Sequence, residues 1–197
     1  MLYESYKIAR DKAWKVLKEC GINRLPLNLM EIIKFYNIKV KYYSKNDYIK
    51  TLSFDIQNGD GFSRIENGQK IIYFNDKKAT KARRRFTIAH ELGHCLLGHD
   101  LSKTKYRNSE TGSNDDPIEE MQANVFARDI LMPAIVLHYT GCIKYTDIMR
   151  LCDVSETSAQ LREERMKVLE ARNKFCTSPL EKQVYDNFSN FIKAYKK

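Results

Sequence analysis

The sequence has 197 residues, 43% hydrophobic and 30% charged, which is the composition of a globular protein with a sizeable core. It contains no apolar run near the roughly 20 residues that cross a bilayer, and its start lacks the apolar stretch of a signal peptide. These features exclude a membrane-spanning protein and predict a cytoplasmic one. The net charge of +9 favours acidic partners only in a general way, because the excess is spread along the chain.

Five cysteines are scattered along the chain without a Cys-x-x-Cys pair. An odd number at such spacings argues against a disulfide framework and against a cysteine-type zinc site, so we expect reduced thiols. We expect Cys95 to pack in the interior. The densest basic stretch, over 77–85 and including Lys78, is expected to be a solvated surface.

The first third of the chain predicts helices followed by strands. Apolar positions such as Ile8 recur at helical spacing over 3–20 and again over 27–36, whereas residues 38–43 alternate as a strand does. Between 51 and 75, short apolar runs alternate with Asn-Gly turns, which are strong hairpin signals. We therefore expect a small antiparallel meander in this stretch.

Two segments of that meander carry specific expectations. The run Leu52–Ile56 is expected to be a strand, followed by a turn at Asn58-Gly59. The strand over 71–74 is expected to lead into the next helix and could pair with an extended substrate backbone by strand addition.

Capping residues define the helices that follow. Thr80 and Gly98 bound a helix over 81–97, and Asp116 starts a second helix that ends near Met132, because a proline follows. The polar stretch 101–117 between the two helices predicts a surface loop. Further helices are predicted over 134–139, within 144–174 on both sides of a turn at 153–155, and over 179–195.

The first of these capped helices contains the motif His90-Glu91-Leu-Gly-His94. Residues four apart lie on one face of a helix, so the two imidazoles can bind one Zn²⁺ ion. Glu91, beside the first of them, can act as the general base on a zinc-bound water. We predict one catalytic zinc per chain.

A third ligand is needed, and three schemes are possible. The metzincin pattern would use Asp100, but Leu97 stands where that pattern has glycine. A second scheme takes a glutamate from the helix after the loop, as in thermolysin-type enzymes. We favour Glu120 within this scheme, because Asn124 lies on the same face and can support a histidine ligand by a hydrogen bond. The third scheme uses His99, which lies beyond the helix end and is expected to lie at the surface or to support a ligand.

The two helices together resemble the ImmA/IrrE family of metallopeptidases. The segments that carry the resemblance are Phe86–His99 and Glu120–Pro133, with support from Gly61-Phe-Ser and from the strand Ile71–Asn75. Gln122 departs from the usual pattern, in which a second acidic residue is common there, and this makes Glu120 the better choice of ligand. The resemblance covers about residues 25–170 of the sequence.

The resemblance implies a fold and a function. The fold is α+β, a thermolysin-like minimal zincin core with a small antiparallel sheet packed on the active-site helices and additional C-terminal helices. We expect an N-terminal helix over 1–24, the metallopeptidase core over 25–140 and a helical region over 141–197 in the same compact unit. The function is intracellular cleavage of a regulatory protein, a helix-turn-helix repressor of a prophage or mobile element.

Two questions remain open at the level of sequence. The donor that stabilises the oxyanion could be Tyr139, His138 or Tyr106, since nothing in the spacing selects one. The turn at 153–155 superficially resembles a helix-turn-helix, which leaves a DNA-binding or toxin-antitoxin regulator with a non-catalytic zinc site as an alternative. We expect no specific binding to nucleic acid, because Glu156 and other acids in the following helix would repel phosphates.

Overall fold

The chain consists of helices that surround one small sheet. The computed structural model describes residues 2–77, 80–102, 107–108, 112–113 and 116–196. Its α-helices are α1 Leu2–Glu19, α2 Leu29–Phe35, α3 Phe54–Asn58, α4 Lys81–Leu97, α5 Pro117–Leu131, α6 Ala134–Thr140, α7 Tyr145–Cys152, α8 Glu156–Arg172 and α9 Pro179–Tyr195. Its strands are β1 Lys39–Tyr42, β2 Gly61–Glu66, β3 Gln69–Phe74, β4 Arg107–Asn108 and β5 Gly112–Ser113. The predicted α+β fold is confirmed.

The sheet has the order β1-β3-β2-β4-β5. β2 and β3 form an antiparallel hairpin, whose turn residues Asn67 and Gly68 have φ angles of 49° and 77°, as a type I′ turn requires. β1 runs parallel to β3. The connection over 43–60 takes the chain past the position that β3 later fills, so β2 begins two places away from β1 in the sheet. The sheet is therefore mixed.

Two expectations for the meander are wrong. Residues 54–58 form the short helix α3 instead of a strand, and its backbone is held by local bonds from the Gln57 side chain to Leu52 O and from the Asn58 side chain to Phe54 O. Asn58-Gly59 ends this helix and makes no hairpin. β3 also cannot accept an added strand, because both of its edges are already paired, with β1 and with β2.

The helix that carries the motif follows the prediction. The Thr80 hydroxyl accepts the Arg83 amide at 3.3 Å, and Gly98 ends α4 with a φ of 79°. α4 packs on β2 and β3. At Gly61, β2 lies close both to β3 and to Thr87 of α4. The predicted loop over 101–117 lies largely outside the described residues, as does Lys78 in the basic stretch.

One apolar core joins the helices at both ends of the chain. It extends from Ala13 in α1 to Ile192 in α9 and contains Leu92 of α4 and Phe126 of α5, all of them buried. α1 packs against α4, α5 and α9, with Ile8 on its solvent side, 56% exposed.

All five cysteines are free. Among the described helices, none combines the length and apolar character needed to span a membrane.

We expect Gly61→Ala to destabilise the fold. A Cβ at this position would lie 2.7 Å from the Tyr73 carbonyl oxygen and 2.9 Å from Thr87 Cγ2, so strand and helix would have to separate. Overpacking of this kind costs about 1 to 3 kcal/mol and lowers the unfolding temperature by several degrees. Thermal denaturation followed by circular dichroism measures the change. Ile65→Ala, at a 47% exposed position of the same strand, is the control and should melt near the wild type. Equal melting of both variants would contradict the packing described.

Candidate metal centre

The metal centre lies between α4 and α5. His90 and His94 share one face of α4, and Glu120 belongs to the first turn of α5. The two helices approach closely at Gly93, where a Cβ would lie 3.2 Å from Ala123 Cα and 3.2 Å from Phe126 Cδ1. The missing side chain lets α5 come near enough to present its glutamate to both histidines.

Three donor atoms converge at this point. His94 Nε2 lies 3.0 Å from His90 Nε2 and 3.1 Å from Glu120 Oε1, and His90 Nε2 lies 3.4 Å from the same oxygen. Ligands at 2.0 to 2.1 Å from a tetrahedral ion are about 3.3 Å apart, so these atoms match one face of the tetrahedron. The structure thus brings together the three residues predicted as ligands.

Two of the three donor residues are buried, and the Glu120 side chain is 16% exposed. His90 is fully buried, and His94 is 4% exposed. The lone pairs of two imidazole nitrogens and a carboxylate oxygen repel one another at these distances unless positive charge lies between them. A divalent cation supplies that charge, and the donor set of two nitrogens and one oxygen fits it.

A hydrogen-bond partner orients each imidazole from its outer side. His90 Nδ1 lies 3.2 Å from Asn124 Oδ1, one turn of α5 beyond Glu120, where the sequence places it. An amide oxygen can only accept, so the ring proton is on Nδ1 and the lone pair of Nε2 faces the metal position. Asn124 therefore fixes the tautomer that a metal ligand requires.

His94 is supported by His99, which is one of the two roles that the sequence predicted for that residue. Its Nδ1 lies 2.9 Å from Nδ1 of His99, whose Nε2 lies 3.0 Å from Gln122 Oε1. The Gln122 amide in turn donates to the Ser5 carbonyl of α1 at 3.3 Å. Because the Gln122 oxygen accepts the proton of His99 Nε2, His99 Nδ1 is left to accept from His94, and His94 Nε2 keeps its lone pair for the metal.

Donor atoms of His94, His99 and Glu119 also lie within 4.8 Å of one another. We assign His99 to the hydrogen-bond chain, because a neutral His94 that binds a metal through Nε2 must keep a proton on Nδ1 and needs an acceptor there. Asp100, the ligand of the metzincin scheme, accepts the Ser102 amide through its side-chain oxygen. The backbone amide of Asp100 donates to a side-chain oxygen of Glu119. The compact ligand set is therefore the one that contains Glu120.

Glu91 is 4% exposed and lies in α4 between the two histidines. The negative charge of its carboxylate affects the pKa values of two neighbouring side chains. Burial, and after it the charge of Glu91, raise the pKa of the Cys95 thiol to about 12 and raise the pKa of the Tyr43 hydroxyl as well. Cys95 is fully buried in the apolar core, as expected for a packing residue.

Two of the proposed oxyanion donors face another part of the molecule. His138 Nδ1 lies 2.8 Å from Glu170 Oε1, and its ring stacks on Phe175 at 3.8 Å between centroids. The ring of Tyr139 packs on Tyr185 at 4.6 Å. α6, which carries both residues, follows the far end of α5 and packs on α8 and α9, so the structure does not group them with the metal donors. Tyr106 lies outside the described residues.

The segment that resembles a helix-turn-helix is occupied by internal contacts. Asp153, with a φ of 54°, ends α7, and the Ser155 hydroxyl caps α8. Arg162 of α8 is 1% exposed and donates to Asp129 of α5 at 3.0 Å. This face of α8 therefore packs on the helix that presents Glu120.

Comparison with known proteins agrees with the site. Residues 45–162 match Peptidase_M78, the family described as the IrrE N-terminal-like domain. The matched range includes α4 and α5, and with them the three donors and Glu91. A search of the curated proteins finds no match.

We expect Asn124→Ala to weaken metal binding by about tenfold or more, the usual effect of removing the partner of a ligating histidine. Asn124→Asp should retain the affinity, since a carboxylate oxygen accepts the same proton. Competition with a chelating fluorophore measures both values. An alanine variant that binds as tightly as the wild type would show that Asn124 does not orient His90.

His99→Ala should also lower the affinity for the metal by about tenfold, because His94 would lose the acceptor for its Nδ1 proton. His138→Ala is the matched control, a half-buried histidine on α6 that should leave the affinity unchanged. Equal affinities in the two variants would contradict the proposed support. Circular dichroism spectra of both variants establish that each is folded.

Proposed function

The chain belongs to the Peptidase_M78 family of IrrE N-terminal-like metallopeptidases, and from this membership we propose that it is a zinc-dependent endopeptidase. We further propose that it acts in the cytoplasm on a helix-turn-helix repressor. The observation that carries the enzymatic proposal is the triangle of His90, His94 and Glu120 donor atoms, with edges of 3.0 to 3.4 Å. Glu91, which follows His90 directly in α4, is buried. Zinc is favoured over harder cations because two of the three donors are imidazole nitrogens.

The chemistry divides between the metal and the chain. Zinc, when bound, would supply a water of lowered pKa and a Lewis acid for the scissile carbonyl. Glu91 would take a proton from the attacking water and return it to the leaving amine. Its burial excludes bulk water, so the carboxylate can act on the reacting groups without competition from solvent.

The remaining residues of the centre hold the ligands in place. Asn124 and His99 keep the outer nitrogens of the two imidazoles protonated, so that the inner nitrogens act as donors. The Gln122 contact with Ser5 ties this arrangement to α1. These contacts limit the motion of the ligands, which supports a preorganised site.

A repressor as substrate is supported by the resemblance of residues 86–99 and 120–133 to the repressor-cleaving ImmA/IrrE proteins. The enzymatic proposal does not depend on this part, because the metal centre could act on another protein substrate. The first test is whether a helix-turn-helix repressor is encoded beside this gene. Cleavage of such a repressor, with a repressor from an unrelated element as the comparison, then tests the substrate class.

We expect Glu91→Gln to retain the metal and to cleave the repressor at least about 100-fold more slowly, because the general base is lost. Gel analysis of repressor cleavage over time measures the rate, and metal analysis of the purified variant measures the occupancy. Undiminished cleavage in this variant would exclude Glu91 as the base. Removal of the metal by a chelator should abolish cleavage by the wild type, and added zinc should restore it.

A pair of neighbouring substitutions tests the third ligand. Glu120→Gln should lose both metal and cleavage, whereas Glu119→Gln should retain both, because only the Glu120 carboxylate completes the compact triangle. The reverse result would assign the metal to the other group of donors. Loss of the metal in neither variant would place the third ligand elsewhere.

A further inference from the structure

A cavity lies between α1, the last turn of α5, α8 and the connection from α8 to α9. Its volume is about 210 Å³. None of the described residues that line it is a donor of the metal centre. A water molecule occupies about 30 Å³ in the liquid, so the cavity has room for a small organic ligand.

Positive charge dominates the lining of this cavity. Four cationic side chains and two carboxylates contribute, and they are Arg10, Arg165, Arg172, Lys174, Asp129 and Glu181. Both carboxylates are already engaged: Asp129 accepts from Arg162 at 3.0 Å and also from Arg128, and Glu181 accepts the Thr177 amide at 3.1 Å. Arg10 is engaged as well, because its guanidinium donates to Asp11 at 2.7 and 2.9 Å. Arg165, Arg172 and Lys174 are therefore the cations of the lining that stand outside these ion pairs.

Guanidinium groups converge behind the cavity wall. Arg128 and Arg165 stand over the same ring, with their Cζ atoms 5.2 and 5.3 Å from the centre of Tyr6, and both donate to its hydroxyl. Arg162 lies beside them, fully buried. Within the described part of the chain, the buried Nε atoms of these three arginines have no hydrogen-bond partner.

The single carboxylate among them cannot balance this cluster. Desolvation alone would raise the pKa of Asp129, but Arg162 and Arg128 outweigh it and hold that pKa below its ordinary value, so Asp129 is ionised. It compensates one of the three buried or half-buried cations. Uncompensated positive charge in a low-dielectric interior is costly, and an anion beside it would lower that cost.

The other walls offer donors and aromatic surface. Trp14 lines the cavity, and its buried Nε1 has no acceptor among the described residues. Phe175 and Tyr3 add aromatic surface. A lining rich in donors and poor in free acceptors is complementary to an oxyanion, which only accepts hydrogen bonds.

We propose that this cavity binds a small organic oxyanion, a phosphate- or carboxylate-bearing metabolite, with Arg165 beside it and the exposed Arg172 and Lys174 at its entrance. The ligand would lie between α1 and α8, beside the hydrogen bond from Arg165 of α8 to the Tyr6 hydroxyl of α1. This site is independent of the peptidase reaction, and the proposal holds whether or not the substrate of the metal centre is a repressor.

Isothermal titration of the full-length, metal-loaded protein tests the proposal with inorganic phosphate, glycerol 3-phosphate and succinate as probes. We expect saturable binding of at least one probe with one site per chain. Binding of the phosphates alone identifies a phosphate ligand, and binding of succinate alone identifies a carboxylate ligand. No saturable binding of any probe would overturn the proposal.

Matched variants locate the site. The double substitution Arg172→Gln with Lys174→Gln changes only exposed residues, and we expect it to weaken binding by about tenfold or more. Arg165→Gln should abolish binding. Lys167→Gln removes a 70% exposed charge of the same helix that does not line the cavity, and it should bind as the wild type does. Unchanged affinity in the double variant and in Arg165→Gln would show that the probe binds elsewhere and would also overturn the proposal.

Discussion

The close contact between α4 and α5 at Gly93 is the constraint on which the metal centre depends. An HExxH sequence places two donors on one helix, but the third donor has to come from another element at a distance set to a few tenths of an ångström. Here Ala123 and Phe126 pack against Gly93. A Cβ added at Gly93 would lie 3.2 Å from an atom of each of them, which is too close for a methyl group unless the neighbours shift. A larger residue would push α5 outward and open the triangle of donors.

The same two helices also settle which nitrogen of each histidine carries its proton. Asn124 of α5 accepts from His90, and Gln122 of α5 acts on His94 through His99. One helix therefore supplies a ligand and the supports of both other ligands.

The sequence predicted those features that depend on neighbouring residues. Helix boundaries at Thr80, Gly98 and Asp116 follow from caps that act within one turn. The donors on α4 follow from the spacing of four residues, and the family signature pointed to Glu120.

Features that depend on distant parts of the chain were not predictable in the same way. The parallel pairing of β1 with β3 and the exposure of Ile8 are decided by how the elements pack, and the helix at 54–58 overrides an apolar alternation that is typical of strands. His99 was expected at the surface or as a support, but its hydrogen bond to Gln122 was not predicted. The bond from Gln122 to Ser5 was not predicted either, because these two residues are 117 positions apart in the sequence. No local pattern carries such a contact.

α1 connects the two polar regions of the molecule. The Ser5 carbonyl accepts from Gln122 beside the metal centre, and the adjacent Tyr6 hydroxyl accepts from Arg128 and Arg165 at the cationic cavity. α5 contributes to both regions, because Glu120 lies in its first turn and Asp129 in its last, about 13 Å apart along the axis at 1.5 Å per residue. Asp129 and Arg162 of α8 form a buried ion pair, and removal of either partner would leave an unpaired charge in the interior at a cost of about 3 to 5 kcal/mol. The position of α5 must therefore satisfy the donors at one end and the arginines at the other at the same time, and α1 contacts both ends of it.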